Sequence, residues 1–184
     1  MVKNIQMKKF IQKHNFILTL VLMLVAFSNV NAQRRAKKLA DKDTQSWRYE
    51  IEAVQTGVQG TYLVKVWSYS KKPNVAIEQA KKNAVHGIIF RGFAGKDGVP
   101  GQKPIARNPN LEQEKSDFFK EFFATGGKYL KFVSLTNDGA VAAGDRFKIG
   151  KKEYKIGVLI SIRKALLRKD LEASGVIKSM DSMF

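Results

Sequence analysis

Short stretches of alternating apolar and polar side chains dominate the chain from Trp47 onward. Trp47, Tyr49, Ile51 and Ala53 interleave with Arg48, Glu50 and Glu52, the period of a half-buried strand. Gly57 and Gly60 bracket a turn. The next stretch, residues 61–70, sets Tyr62, Val64 and Val66 on one face and Leu63, Lys65, Trp67 and Tyr69 on the other, so the two predict a hairpin. Pro73-Asn74 stops it, with Asn74 as the expected N-cap of a helix over residues 75–90. That helix repeats Ala76, Ala80, Ala84 and Ile88 every fourth residue, beside Ile77 and Val85. Such a narrow stripe of small residues lets a helix lie close to a sheet.

The periodicity dissolves between residues 92 and 110, nineteen positions with four glycines and three prolines, which is long for a structureless connection and marks a candidate functional loop. A second helix is expected to open at Asn110, where Asn110 and Gln113 have capping-box spacing. It would carry Leu111, Phe118, Phe119, Phe122 and Phe123 inward and end at Gly126-Gly127. Residues 129–135 read as a third strand, followed by a turn at Asn137-Asp138-Gly139. Residues 146–149 and 153–162 then flank the turn Gly150-Lys151-Lys152, with Tyr154, Ile156, Val158, Ile160 and Ile162 in strict alternation. A last helix over 164–174 buries Leu167 and Leu171 and stops at Gly175. The order ββαα-βββα predicts an α+β fold, an antiparallel sheet of hairpins covered on one face by two or three helices.

Upstream of this domain, residues 47–184, the pattern is of another kind. Lys3, Lys8, Lys9 and Lys13 precede an apolar run at 16–27, in which Thr19 is the one polar residue, closed by Val30-Asn31-Ala32. These are the parts of a secretory signal peptide over residues 1–32, and the run is too short to cross about 30 Å of hydrocarbon as a permanent anchor. Cleavage after Ala32 would leave no transmembrane span and a basic, flexible arm over 33–46, with Arg34, Arg35, Lys37 and Lys38 clustered. The expected location is periplasmic or extracellular, reached by the general secretory route.

Composition changes the picture in two ways. Losing residues 1–32 removes four lysines and no acid, lowering the formal charge from +17 by four, to +13. In the cytoplasm such an excess would suggest nucleic acid. Outside it, the expected partners are an envelope protein, an anionic glycan or lipid head groups, and nucleic acid is not expected. Cysteine is absent, which excludes disulfides, a thiol nucleophile, thiolate-bound metal and the lipid anchor of a lipoprotein.

Candidate chemistry is sparse. His86 is the one histidine left after cleavage; it lies in the alanine-striped helix with no motif pairing it to a serine, and reads as structural. Glu50 with Glu52, and Glu112 with Glu114, are the carboxylate pairs an envelope glycan hydrolase would use. Asp97, Asp138 and Asp145 form no calcium-loop run, and the segment from Gly92 to Asp97 lacks the spacing of a phosphate cradle, so no metal and no cofactor are expected. Gly92, Gly95, Gly98 and Gly101 fall at every third position, too few triplets for a collagen helix. The candidate binding surface combines loop cations, Arg91, Lys96, Lys103 and Arg107, with the strand face holding Lys65, Trp67 and Tyr69.

The strand 61–70 running into the alanine-striped helix, and residues 154–162 running into the final helix, resemble the small envelope domain of the twenty-kilodalton bacterial lipoprotein family. A similar domain begins the flagellar-assembly proteins of that superfamily. The resemblance implies an alanine-rich helix packed on an antiparallel sheet and a non-enzymatic adaptor role at the outer membrane; it carries over no functional residue. This chain departs from it in lacking the lipid-bearing cysteine and in inserting the 92–110 loop. The expectation is therefore an exported, non-enzymatic envelope adaptor or binding protein, with a carboxylate-dependent glycan hydrolase and a secreted surface effector or adhesin as the alternatives.

Overall fold

The computed structural model describes residues 34–40, 42, 46–57 and 60–179, and the leader pattern lies outside them. The chain divides into two compact units, residues 1–36 and 37–184, and the fold below is that of the second. Among the described residues five strands follow from the alternating stretches: β1 (Tyr49–Thr56), β2 (Thr61–Ser70), β3 (Val133–Leu135), β4 (Arg146–Ile149) and β5 (Glu153–Arg163). All pair antiparallel, in the order β1-β2-β5-β3, with β4 also on β5. Strand β5 is central. It pairs with β2 from Thr61↔Arg163 to Ser70↔Tyr154, while β3 and β4 follow each other along its opposite edge.

Because strand side chains alternate, this register puts Val64 and Val66 beside Ile160 and Val158, with Ile156 and Ile162 on the same face, every one of them buried. Each such side chain contributes about 1.5–3 kcal/mol when fully withdrawn from water. Helix α1 (Pro73–His86) covers this face through Ala76, Ala80 and Ala84, which are wholly buried as the small-residue stripe predicts. Helices α2 (Leu111–Glu114) and α3 (Ser116–Phe122) add Leu111, Phe119 and Phe122 to the same core, and α4 (Lys164–Ala173) adds Leu167 and Leu171. The α+β class stands, with the helices packed on the sheet.

Several local expectations are corrected. Helix α1 starts one residue before Asn74 and is capped by Lys72 without a side-chain hydrogen bond, because Pro73 suits the first helical position, where no amide proton is needed. It does not continue regularly to Phe90. Gly87–Arg91 is a π-helical turn in which the Gly92 N–H donates to the Gly87 carbonyl at 2.7 Å. The carbonyls of Ile88 and Ile89 then accept from Ile105 and Ala106 at 3.0 and 2.8 Å, tying down the far end of the long loop. That loop is folded rather than structureless. Bridges Phe93↔Gln102 and Lys96↔Val99 close it around Asp97-Gly98, both at positive φ (51° and 79°), the geometry of a two-residue hairpin turn.

The phenylalanine-rich helix breaks at Lys115 and ends at Phe122, and the Asn110–Gln113 capping box does not form. The Asn108 side chain instead accepts from the Asn110 N–H at 2.9 Å. Residues Lys128–Phe132 are 3₁₀-helical, leaving only three residues of the expected third strand, because burial of Tyr129 and Phe132 follows a three-residue period and not a two-residue one. In the segment expected as a mobile arm, residues 37–40 are helical and Ala40 is buried. Helix α4 ends as predicted: Gly175, at φ 64°, donates to the Glu172 carbonyl and Val176 to that of Leu171, a Schellman closure.

Gly87 permits the close approach of α1 to β1, since a Cβ there would stand 2.2 Å from Ile51 Cδ1. Gly92→Ala, which sets a Cβ 2.1 Å from the Gln102 carbonyl oxygen at a φ of 67°, is expected to lower the unfolding free energy by about 1–3 kcal/mol in urea titrations. Gly144→Ala, where a Cβ meets nothing within 4 Å, should change it by less than about 0.5 kcal/mol.

Candidate binding surface

The odd-numbered positions of β2 and β5 face away from the helices, together with the even-numbered first half of β1. Register brings Glu50 beside Trp67, Glu52 beside Lys65, and Lys155 beside Tyr69. Trp67 lies across Gly157, whose missing side chain makes room: a Cβ there would be 2.8 Å from the indole. The indole N–H donates to Glu52 at 2.9 Å, while Lys155 and Lys65 stand 5.1 and 5.6 Å from its ring. Phe147 of β4 packs at its side, 5.7 Å between centroids, and remains 48% exposed.

Ion pairs knit the rest of this face. The Tyr69 hydroxyl donates to Glu50 at 2.5 Å, and Lys155 donates to the other oxygen of Glu50 at 2.8 Å. Arg48 makes a two-pronged pair with Glu153 at 2.9 and 3.0 Å and stacks over Tyr69 at 4.1 Å. Lys65 pairs with Asp145 at 2.8 Å, and Lys96 reaches down from the loop to Glu52 at 2.8 Å. The Lys155 and Tyr69 hydrogen bonds hold the Glu50 carboxyl below its ordinary range, and Lys96 and Trp67 do the same for Glu52. Burial and the Glu50 hydrogen bond push the Tyr69 hydroxyl up.

Of the seven residues read from the sequence as a binding surface, four meet here: Lys65, Trp67, Tyr69 and Lys96. The other three are elsewhere. Arg91 lies over the Tyr49 ring at 4.5 Å on the helix-covered side, Lys103 is exposed beyond the loop bridge, and Arg107 borders a separate cavity near the end of α4. Sequence reading missed Arg48, Phe147 and Lys155. Lys155 sits in the alternating run of β5 and was recognisable only once that run was placed beside β2.

Arg91 borders a second polar cluster built around His86, which is 2% exposed. Trp47, at φ 45°, leaves the strand path and stacks on the imidazole at 3.7 Å. Tyr49 OH lies 2.6 Å from Nδ1, and both Glu112 oxygens lie 3.2 Å from Nε2. Burial, reinforced by Arg91, pushes the imidazole down to about 3. It is therefore neutral at ordinary pH, and the assignment that satisfies both nitrogens has Tyr49 donating to Nδ1 and Nε2–H donating to Glu112. Burial pushes the Tyr49 hydroxyl and the Glu112 carboxyl up. The cluster pins α1 to β1 and α2; Glu114, the other half of the carboxylate pair read from the sequence, turns aside to accept from Asn108 at 2.8 Å. Among the described residues no group of His, Asp and Glu is placed to hold a metal ion, and no helix is long and apolar enough to cross a membrane.

Two measurements check these clusters. Glu50 and Glu52 titrate lower folded than unfolded, so their stabilisation is complete above the ordinary carboxylate value of 4.5 and is lost as pH falls through their depressed values. The acid-side fall in Tm should be shallower in the double variant Glu50→Gln/Glu52→Gln. His86→Ala removes a buried ring and leaves the Tyr49 hydroxyl and the Glu112 carboxylate without their hydrogen-bond partner, and is expected to destabilise by about 3 kcal/mol or more in urea. No family model, no curated protein and no solved structure matches the chain.

Proposed function

We propose that this chain is an exported, non-enzymatic adaptor of the cell envelope, and that it grips a partner protein through the uncovered face of its sheet. The observation that carries this reading is the meeting of Lys65, Trp67, Tyr69 and Lys96 with Arg48, Phe147 and Lys155 on that face. Charge decides between partner classes. Four cations there, Arg48, Lys65, Lys96 and Lys155, are each matched by a carboxylate, Glu153, Asp145, Glu52 and Glu50. Interleaved charge of both signs around rigid aromatic rings suits a protein surface of mixed polarity better than a uniformly anionic glycan or lipid. Phe147 supplies the exposed apolar anchor that such contacts are built around. The leader pattern of residues 1–32 supports the envelope address.

A hydrolase reading draws no support from the same carboxylates. Glu50 and Glu52 are both held ionised by hydrogen-bonded cations, so neither is suited to donate a proton near neutral pH, and Glu112 and Glu114 serve different partners.

A photo-crosslinking amino acid placed at Phe147 in living cells should capture a discrete partner identifiable by mass spectrometry, while the same probe at exposed Lys120 should not. Adding Lys65→Glu and Lys155→Glu should cut the Phe147 adduct about tenfold, since each reversal sets like charges against each other. Identical adducts from both positions, or an adduct indifferent to the reversals, would remove the sheet face from the proposal.

A further inference from the structure

On the helix-covered side, away from the sheet face, the end of the long loop and the end of α4 enclose a cavity of about 310 Å³. Its walls are apolar: Ile105 and Leu111 from the loop and α2, Val176 and Ile177 from the segment after α4. Its remaining lining residues are Asn108 and three cations, Arg107, Arg168 and Lys178, with no carboxylate among them. Asn108 is already committed, its amide donating to Glu114 and its oxygen accepting from the Asn110 N–H. Arg168 lines the cavity and donates from Nε to Glu172 at 2.9 Å. Its field is felt nearby, since after burial Arg168 is the next cause of the lowered Lys164 titration.

The walls are fixed from below. The N–H groups of Ile105 and Ala106 are anchored on the π-turn carbonyls, and the Val176 N–H on Leu171. A preformed apolar cavity rimmed by cations of one sign, at the small end of the range for ligand sites, matches a molecule with an alkyl body and a single anionic head. We propose that this cavity is a binding site for a small amphiphilic anion, its alkyl chain among Ile105, Leu111 and Val176 and its carboxylate or phosphate head on Arg168 and its neighbouring cations. A planar guanidinium can hold either head through two parallel hydrogen bonds. This site is independent of the protein-binding reading of the sheet.

Titration calorimetry of the full chain with octanoate, octyl phosphate and octanol tests it. The expected result is saturable binding of at least one anion about tenfold tighter than octanol, which has the same chain without the charge. The better of the two anions identifies the source, a free fatty acid or a phospholipid-like head. Arg168→Met, which keeps the side chain's bulk, should weaken the anion about tenfold and leave octanol unchanged; Lys120→Met should alter neither. Methyl NMR shifts should fall on Ile105, Leu111 and Val176. Absence of binding, equal affinity for octanol, indifference to Arg168→Met, or shifts confined to other methyls would each overturn the proposal.

Discussion

The ten-residue pairing of β2 with β5 is the constraint on which the rest of the molecule depends. Once Val66 is set against Val158, parity assigns every neighbouring side chain to one of two faces. Valine and isoleucine take the inner face, and with it the obligation to be covered by helices. Lys65, Trp67, Tyr69, Lys155 and Gly157 take the outer one. A one-residue slip of β5 would bury Lys155 and expose Ile156, Val158, Ile160 and Ile162, so the register is strongly enforced.

Small residues set how closely the covering layer descends. Alanines along α1 and glycine at 87 bring the helix down until the glycine meets Ile51, and the π-turn follows at that point. The wider turn releases carbonyls that an α-helix would have used internally, and the incoming loop takes them. One irregularity thus organises the loop hairpin, the His86 cluster beneath it and the apolar cavity at its far end.

Much of this was legible in the sequence where one periodicity ruled. The β5 alternation and the alanine stripe read directly, as did the Gly175 stop, because each is a local rule with a single physical cause. Tyr129–Phe132 misled because aromatic residues favour strands while their spacing here is that of a 3₁₀ turn. Asn74 misled because proline before it claims the first helical position. The candidate surface was half visible. Lys65, Trp67 and Tyr69 share a face by parity alone, whereas the partners that complete it are distant in sequence, Arg48 and Glu153 being 105 residues apart. Arg91, Lys103 and Arg107 scattered because the Asp97-Gly98 turn folds the loop back on itself, sending neighbouring cations in different directions.

The middle of the sheet is contributed by the last strand among the described residues, 153–163, although its outer hairpin begins at residue 49. A polypeptide delivered vectorially, amino end first, can close that hairpin early but has nothing to lay it against until most of its length has emerged. Native topology is thereby deferred to a late, long-range step, the kind that lengthens folding times and leaves apolar strands open to a chaperone in the interval.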